Sequence, residues 1–142
     1  MVRTRKSVGV LAILLLTAAM LVAPTASSFP WGVSGVKDSG CNCHGATPDP
    51  SVIASVAGLP ESYNYSESYD LTVSFTGGPS AQGNINQGGF HLWVSDGELS
   101  VNDATAQLFG ANEAGHTEAG NDQTSWTVTW TAPATDRSVE FV

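Results

Sequence analysis

Positive charge is scarce in this chain. Five Lys and Arg residues face thirteen Asp and Glu, and Arg3, Arg5 and Lys6 account for three of the five. From residue 29 onward only Lys37 and Arg137 oppose all thirteen acidic residues, a net charge of −11. Such a surface repels phosphate backbones and anionic membranes, which excludes nucleic acid as a partner. No stretch beyond the N-terminal segment keeps a sustained helical period of apolar residues, which excludes a helical bundle. No Ser-His-Asp order, paired-carboxylate motif or phosphate-cradling glycine loop stands out, and nothing in the sequence indicates an enzyme. Cysteine is limited to Cys41 and Cys43. A bridge between residues two apart would close a tight, strained ring and lock no loop. Methionine occurs only as Met1 and Met20, so no thioether ligand is available further along.

What is present begins with an export signal. The basic residues near the start precede an apolar run from Val8 to Val22, interrupted only by Thr17, and the small residues Ala23-Pro24-Thr25-Ala26-Ser27-Ser28 follow. That order is the n-region, h-region and cleavage region of a secretory leader. The run falls short of the ~20 residues of a spanning helix. The sequence therefore divides into a signal peptide over 1–28, a Cys/His-containing segment with a Pro linker over 29–50, and a β-domain over 51–142. The expected location is extracytoplasmic, secreted or attached to the cell surface. Membrane contact is expected only through the leader or a C-terminal anchor missing from this chain.

The β-domain shows itself through alternation. Val52, Ala54 and Val56 alternate with Ile53 and Ser55, and Gly58-Leu59-Pro60 stops the run. Tyr69, Leu71, Val73 and Phe75 share one face of a clear strand. Gly89 to Ser95 reads as another, with Asp96-Gly97 as a hairpin turn into Glu98–Val101. Gly110 to Asn121 reads as a small-residue loop containing His116. Trp126–Thr131 alternates again, and Ser138–Val142 begins one more strand. About six strands with Gly and Pro punctuation point to an all-β, immunoglobulin-like antiparallel sandwich. Because the chain stops within an apolar run, the expectation is a sandwich incomplete at its C-terminal end. Trp93, Trp126 and Trp130 read as core or sheet-face residues. Asn64-Tyr65-Ser66 is a glycosylation sequon, a short pattern.

Chemistry concentrates in Gly40-Cys41-Asn42-Cys43-His44-Gly45. Two thiols and an imidazole together can hold a haem or a metal. Covalent haem attachment normally uses Cys-x-x-Cys-His, and this unit is one residue short. Cysteines one helical turn apart lie roughly 5–6 Å from each other, and two positions apart in an extended chain they lie ~6.6 Å apart. Distance therefore permits attachment, while direction does not favour it: alternate side chains share a face, and His44 would point away. A bent loop between Gly40 and Gly45, or a single thioether, removes the conflict. A second axial ligand would come from His116, in its Gly-rich loop, or from His91, expected on an outer strand face. The alternatives are a zinc or copper site built from Cys41, Cys43, His44 and one further histidine, and a binding or adhesion module with no cofactor.

The order of these features resembles a known family. Besides the Cys/His unit, the residues that carry the likeness are Leu59-Pro60 with Tyr63, Ser68 to Ser74, Gly88-Gly89-Phe90, His116-Thr117, and Ser125 to Ala134 with its Trp-x-x-x-Trp-x-Ala-Pro stretch. From Ser39 to Val142 the chain is similar to the Reeler-like surface domains of microbes, the group called choice-of-anchor V. The resemblance implies an exported β-sandwich, often tethered to the cell surface. Members commonly carry a haem-type Cys-x-x-Cys-His ahead of the first strand, which maps onto Cys41, Cys43 and His44. The histidine before the Trp strand maps onto His116. The expectation from sequence is thus a surface-associated module carrying one covalent haem c for electron transfer. Cys41 and Cys43 would be the attachment points, with His44 proximal, His116 distal, and an unidentified redox or surface partner.

Overall fold

Alternation decides where strands form, and the faces it creates decide how they stack. The computed structural model describes residues 30–38, 49–78 and 87–142. Among these it contains β1 (Ile53–Ala57), β2 (Ser68–Thr76), β3 (His91–Trp93), β4 (Glu98–Val101), β5 (Ala106–Gly110), β6 (Glu113–His116), a three-residue 3₁₀ turn (Glu118–Gly120) and β7 (Ser125–Thr131). The strands form two sheets, ordered β1-β2-β7-β4 and β3-β6-β5, and every pairing is antiparallel. This is the all-β sandwich expected from the alternation. The Cys41–His44 unit and the signal peptide expected over 1–28 lie outside the described residues. Among the described residues no helix is long and apolar enough to cross a membrane.

The core is built on the longest pairing. In the β2–β7 register Tyr69 faces Trp130, Leu71 faces Val128 and Val73 faces Trp126. β4 extends the same layer by setting Leu99 opposite Trp130 and Val101 opposite Val128. From the second sheet, Leu92, Ala106 and Ala114 close the interior. Trp126 and Trp130, 2% and 1% exposed, anchor the two ends of this layer. Trp126 packs beside Phe75 and Phe90, with ring centroids 6.1 and 5.0 Å away. Trp130 packs among Tyr63, Tyr69 and Phe141 at 5.4, 5.8 and 5.1 Å. A buried indole N–H needs an acceptor, and each finds a backbone carbonyl: Gly120 at 2.8 Å and Asp96 at 3.0 Å.

Two local expectations change. Asp96-Gly97 does not close a hairpin, because β3 belongs to one sheet and β4 to the other. The turn instead carries the chain across the sandwich edge, over Trp130. Gly97 has φ +85°, and a Cβ there would lie 2.5 Å from both the Thr131 carbonyl oxygen and Trp130 Nε1, so only glycine fits. The segment read as a loop contains β6, the central strand of the second sheet. Its Glu-Ala-Gly-His sequence has little strand propensity. It is held by neighbours on both sides, and a Cβ on Gly115 would lie 2.7 Å from the Phe109 ring. His116 is therefore the last residue of a strand rather than part of a free loop. Finally, Glu140–Val142 runs beside β3: Trp93 and Val142 exchange backbone bonds of 2.8 and 2.9 Å, and Phe141 bridges Val94.

Replacing Trp126 with alanine removes its packing and strands the Gly120 carbonyl, so Trp126→Ala should lower unfolding free energy by about 3–5 kcal/mol. The exposed Trp31 bonds to the fold through its backbone, and Trp31→Ala should change stability by less than about 0.5 kcal/mol. Urea denaturation followed by circular dichroism measures both.

Candidate functional site

β3 and β6 pair so that His91 faces Gly115 and Trp93 faces Glu113. Leu92 and Ala114, between them, point into the core. Alternation then puts His91, Trp93 and Glu113 together on the outer face of the second sheet. His91 Nε2 lies 2.6 Å from Glu113 Oε1, and their side chains are only 9% and 17% exposed. An outward-facing pair is this covered because residues 30–38 cross above it as a strap.

Contacts along the strap are mostly polar. Gln107 on β5 donates from Nε2 to the Trp31 carbonyl, and also to the His116 carbonyl at 2.9 Å. Gly32 lies against the His116 carbonyl and the Phe109 ring. The Gly35 N–H donates to Glu113 Oε1 at 2.5 Å. The Lys37 ammonium sits 4.7 Å from the centroid of the Trp93 ring and 2.6 Å from Asp38 Oδ1. One carboxylate oxygen thus joins the strap backbone to an imidazole on the sheet. Burial works to raise the Glu113 carboxyl. The His91 hydrogen bond, the Gly35 N–H and the His91 charge together outweigh it and hold the group below its ordinary value.

His116 is placed differently. It pairs with Ala106 and follows Gly115, so its side chain leaves the opposite face of β6 from Glu113. Its Nδ1 lies 3.2 Å from the Phe90 N–H nitrogen and 3.3 Å from the Phe90 carbonyl, the bond made depending on the tautomer. The ring rests on the Gly89 backbone. The two histidines weighed as alternative ligands are therefore on opposite faces, and no single group could take both. Cys41, Cys43 and His44 lie outside the described residues; Asp38, at the end of the strap, is three positions before Cys41. Among the described residues no group of three or more His, Cys, Asp or Glu is arranged to hold a metal.

Sequence reasoning placed His91 on an outer strand face, where it is. It missed Glu113 and Gln107, because their partners come from distant positions and no local spacing signals them. Two other surfaces are also non-local. Leu59, Tyr63, Trp130, Arg137 and Phe141 line an open cleft of about 340 Å³. Its wall is pinned by Tyr63 Oη, which lies 2.8 and 3.0 Å from the Arg137 and Thr135 carbonyls and accepts the Arg137 N–H at 2.9 Å. The outer face of the four-stranded sheet is a layer of hydroxyls. Ser55 meets Ser74 and Ser68 meets Thr131, both at 2.9 Å, and Thr129 donates to Asp70 at 2.6 Å.

The Glu113 shift has a definite sign. A carboxyl held below its unfolded value stabilises the fold above that value, and the contribution disappears as pH falls through the lowered folded value. Stability should therefore drop as pH goes below the ordinary glutamate value of 4.5. Glu113→Gln should lack this part of the acid limb and be less stable than the parent near neutrality. Urea midpoints across the acid range provide the measurement.

No family model matches the chain, and no curated protein does. Among solved structures it is similar to a fragment of the human F-spondin reeler domain, at 19% identity with a TM-score of 0.45, covering 64% of this chain and 73% of that one. The Reelin-N domain of F-spondin aligns at 20% identity and a TM-score of 0.45, covering 64% and 70%. A second human F-spondin reeler fragment aligns at 18% identity and a TM-score of 0.42, covering 64% and 76%.

Proposed function

We propose that this protein is an exported, non-catalytic β-sandwich module that acts by binding or adhesion at the cell surface or beyond it. One observation carries this reading: the acid–base groups of the second sheet are committed to holding the fold. His91 and Glu113 fasten the strap, and His116 bonds to the Phe90 backbone. A catalytic base needs its nitrogen or oxygen facing a substrate; these face the protein's own chain. The leader directs the module out of the cell, and the excess of carboxylates keeps it soluble and repels anionic surfaces.

A second reading, a module bearing one covalent haem c, is favoured by the setting of His116. A ligating histidine is usually fixed by a bond from its other nitrogen to a carbonyl; in the tautomer whose Nδ1–H donates to the Phe90 carbonyl, Nε2 is the nitrogen a ligand would use. His91 already engages its Nε2 with Glu113. In this reading Cys41 and Cys43 would hold the group, His44 and His116 would be the axial residues, and a bound haem would supply one-electron transfer. A zinc or copper site at Cys41, Cys43 and His44 is the remaining cofactor alternative.

Expression of the full chain in a bacterial host with haem-attachment machinery separates the readings. The binding module should leave the cytoplasm, lose the leader, show no Soret band, and have the mass of the processed polypeptide. Covalent haem would instead give a Soret band and a mass gain that survives denaturation. In that case His116→Ala should disturb the low-spin spectrum while His91→Ala leaves it intact.

A further inference from the structure

We propose that Asn64 is an N-linked glycosylation site, an inference that rests on the export reading because the modification occurs only on chains leaving the cytoplasm. Asn64-Tyr65-Ser66 is the only Asn-x-Ser/Thr triplet in the 142 residues. A triplet alone is weak; its setting makes the argument. It occupies the tip of the connection between β1 and β2, and Asn64, Tyr65, Ser66 and Glu67 are all exposed. The Glu67 N–H donates to the Asn64 carbonyl at 3.2 Å, closing a turn. Ser66 has φ +60° and is the only non-glycine residue with positive φ among those described, which gives the turn its left-handed third position.

The backbone of this turn is tied down while its side chains project. The Asn64 N–H donates to Tyr69 Oη at 2.8 Å and the Ser66 N–H to the Pro133 carbonyl at 3.3 Å. The Asn64 amide nitrogen reaches only the exposed Glu67 carboxylate. Among the described residues the other asparagines are used by the fold. Asn121 is 8% exposed, Asn112 donates to the Val94 carbonyl, and Asn102 bonds to Thr129. Asn64 has no such duty and sits where a bulky group would displace no packing. Next to it, Tyr65 is 59% exposed, an apolar face that a sugar would shield from water.

The chemistry needs one co-reactant, an oligosaccharide linked to a lipid pyrophosphate. The Asn64 amide nitrogen forms a bond to C1 of the first sugar as the bond from C1 to the phosphate oxygen breaks. The lipid pyrophosphate leaves with that electron pair, and the nitrogen gives up one proton to a base of the transferring enzyme. Nothing is oxidised or reduced.

The test expresses the full chain in a secretory host that N-glycosylates, once with its own leader and once behind a leader the host is known to process. The secreted protein should exceed the polypeptide mass by one glycan. Peptide-N-glycosidase should remove the excess, and Asn64→Gln and Ser66→Ala should each abolish it while unfolding at the same urea midpoint as the deglycosylated parent. Secreted, folded protein at the bare polypeptide mass would overturn the inference, as would a gain that persists in Asn64→Gln. Secretion only behind the host leader, with the glycan present, would count against the export reading while upholding the site.

Discussion

The burial of two tryptophans on one face of β7 is the constraint on which the rest of the sandwich depends. Trp126 and Trp130 are four residues apart on a strand, so their indoles sit about 13 Å from each other along the same face. Fully burying side chains of this size removes roughly 150–250 Å² each from water, worth about 4–6 kcal/mol apiece. Neither can be buried by its own sheet alone. Phe90, the residue just before β3, must cover Trp126, and Phe141 must come from the C-terminal segment to cover Trp130. Their N–H groups set further demands, met by Gly120 and Asp96. One strand thereby dictates where the 3₁₀ turn stops and where the chain crosses between sheets.

The second sheet is held by different means. It contributes little apolar bulk, with alanine at two of its core positions, and its central strand is poor in strand-forming residues. Its outer face gains support from the strap, through Gln107, Glu113 and Trp93. A buried carboxylate is costly unless paired and hydrogen-bonded. Glu113 satisfies that condition only when His91 and the Gly35 N–H are both in place. The strap is thus part of the fold's polar accounting, and it leads directly toward the Cys41–His44 unit in sequence.

How far the sequence could be read follows from the range of the forces involved. β2, β4 and β7 were legible because alternation is local and each strand carries its own pattern. β6 was not, since Ala114 and Gly115 carry no pattern; it becomes a strand only with β3 on one side and β5, with its Phe109 ring, on the other. The hairpin expected at Asp96-Gly97 followed from turn chemistry that is locally sound. The competing demand to cover Trp130 sent the two flanking strands into different sheets. For the candidate site, His91 was placed on the correct face by its neighbours Phe90, Leu92 and Trp93. Glu113 was invisible because it is twenty-two positions away.

The sequence by itself determined the class of the fold and the acidic charge of the chain, because periodicity and net charge are properties of contiguous residues. Tertiary structure decided the partners. It put His91 with Glu113 under the strap, placed His116 on the opposite face against Phe90, and left Asn64 at the tip of an exposed turn. Those outcomes depend on strand register, and register is set by which side chains the whole core can bury.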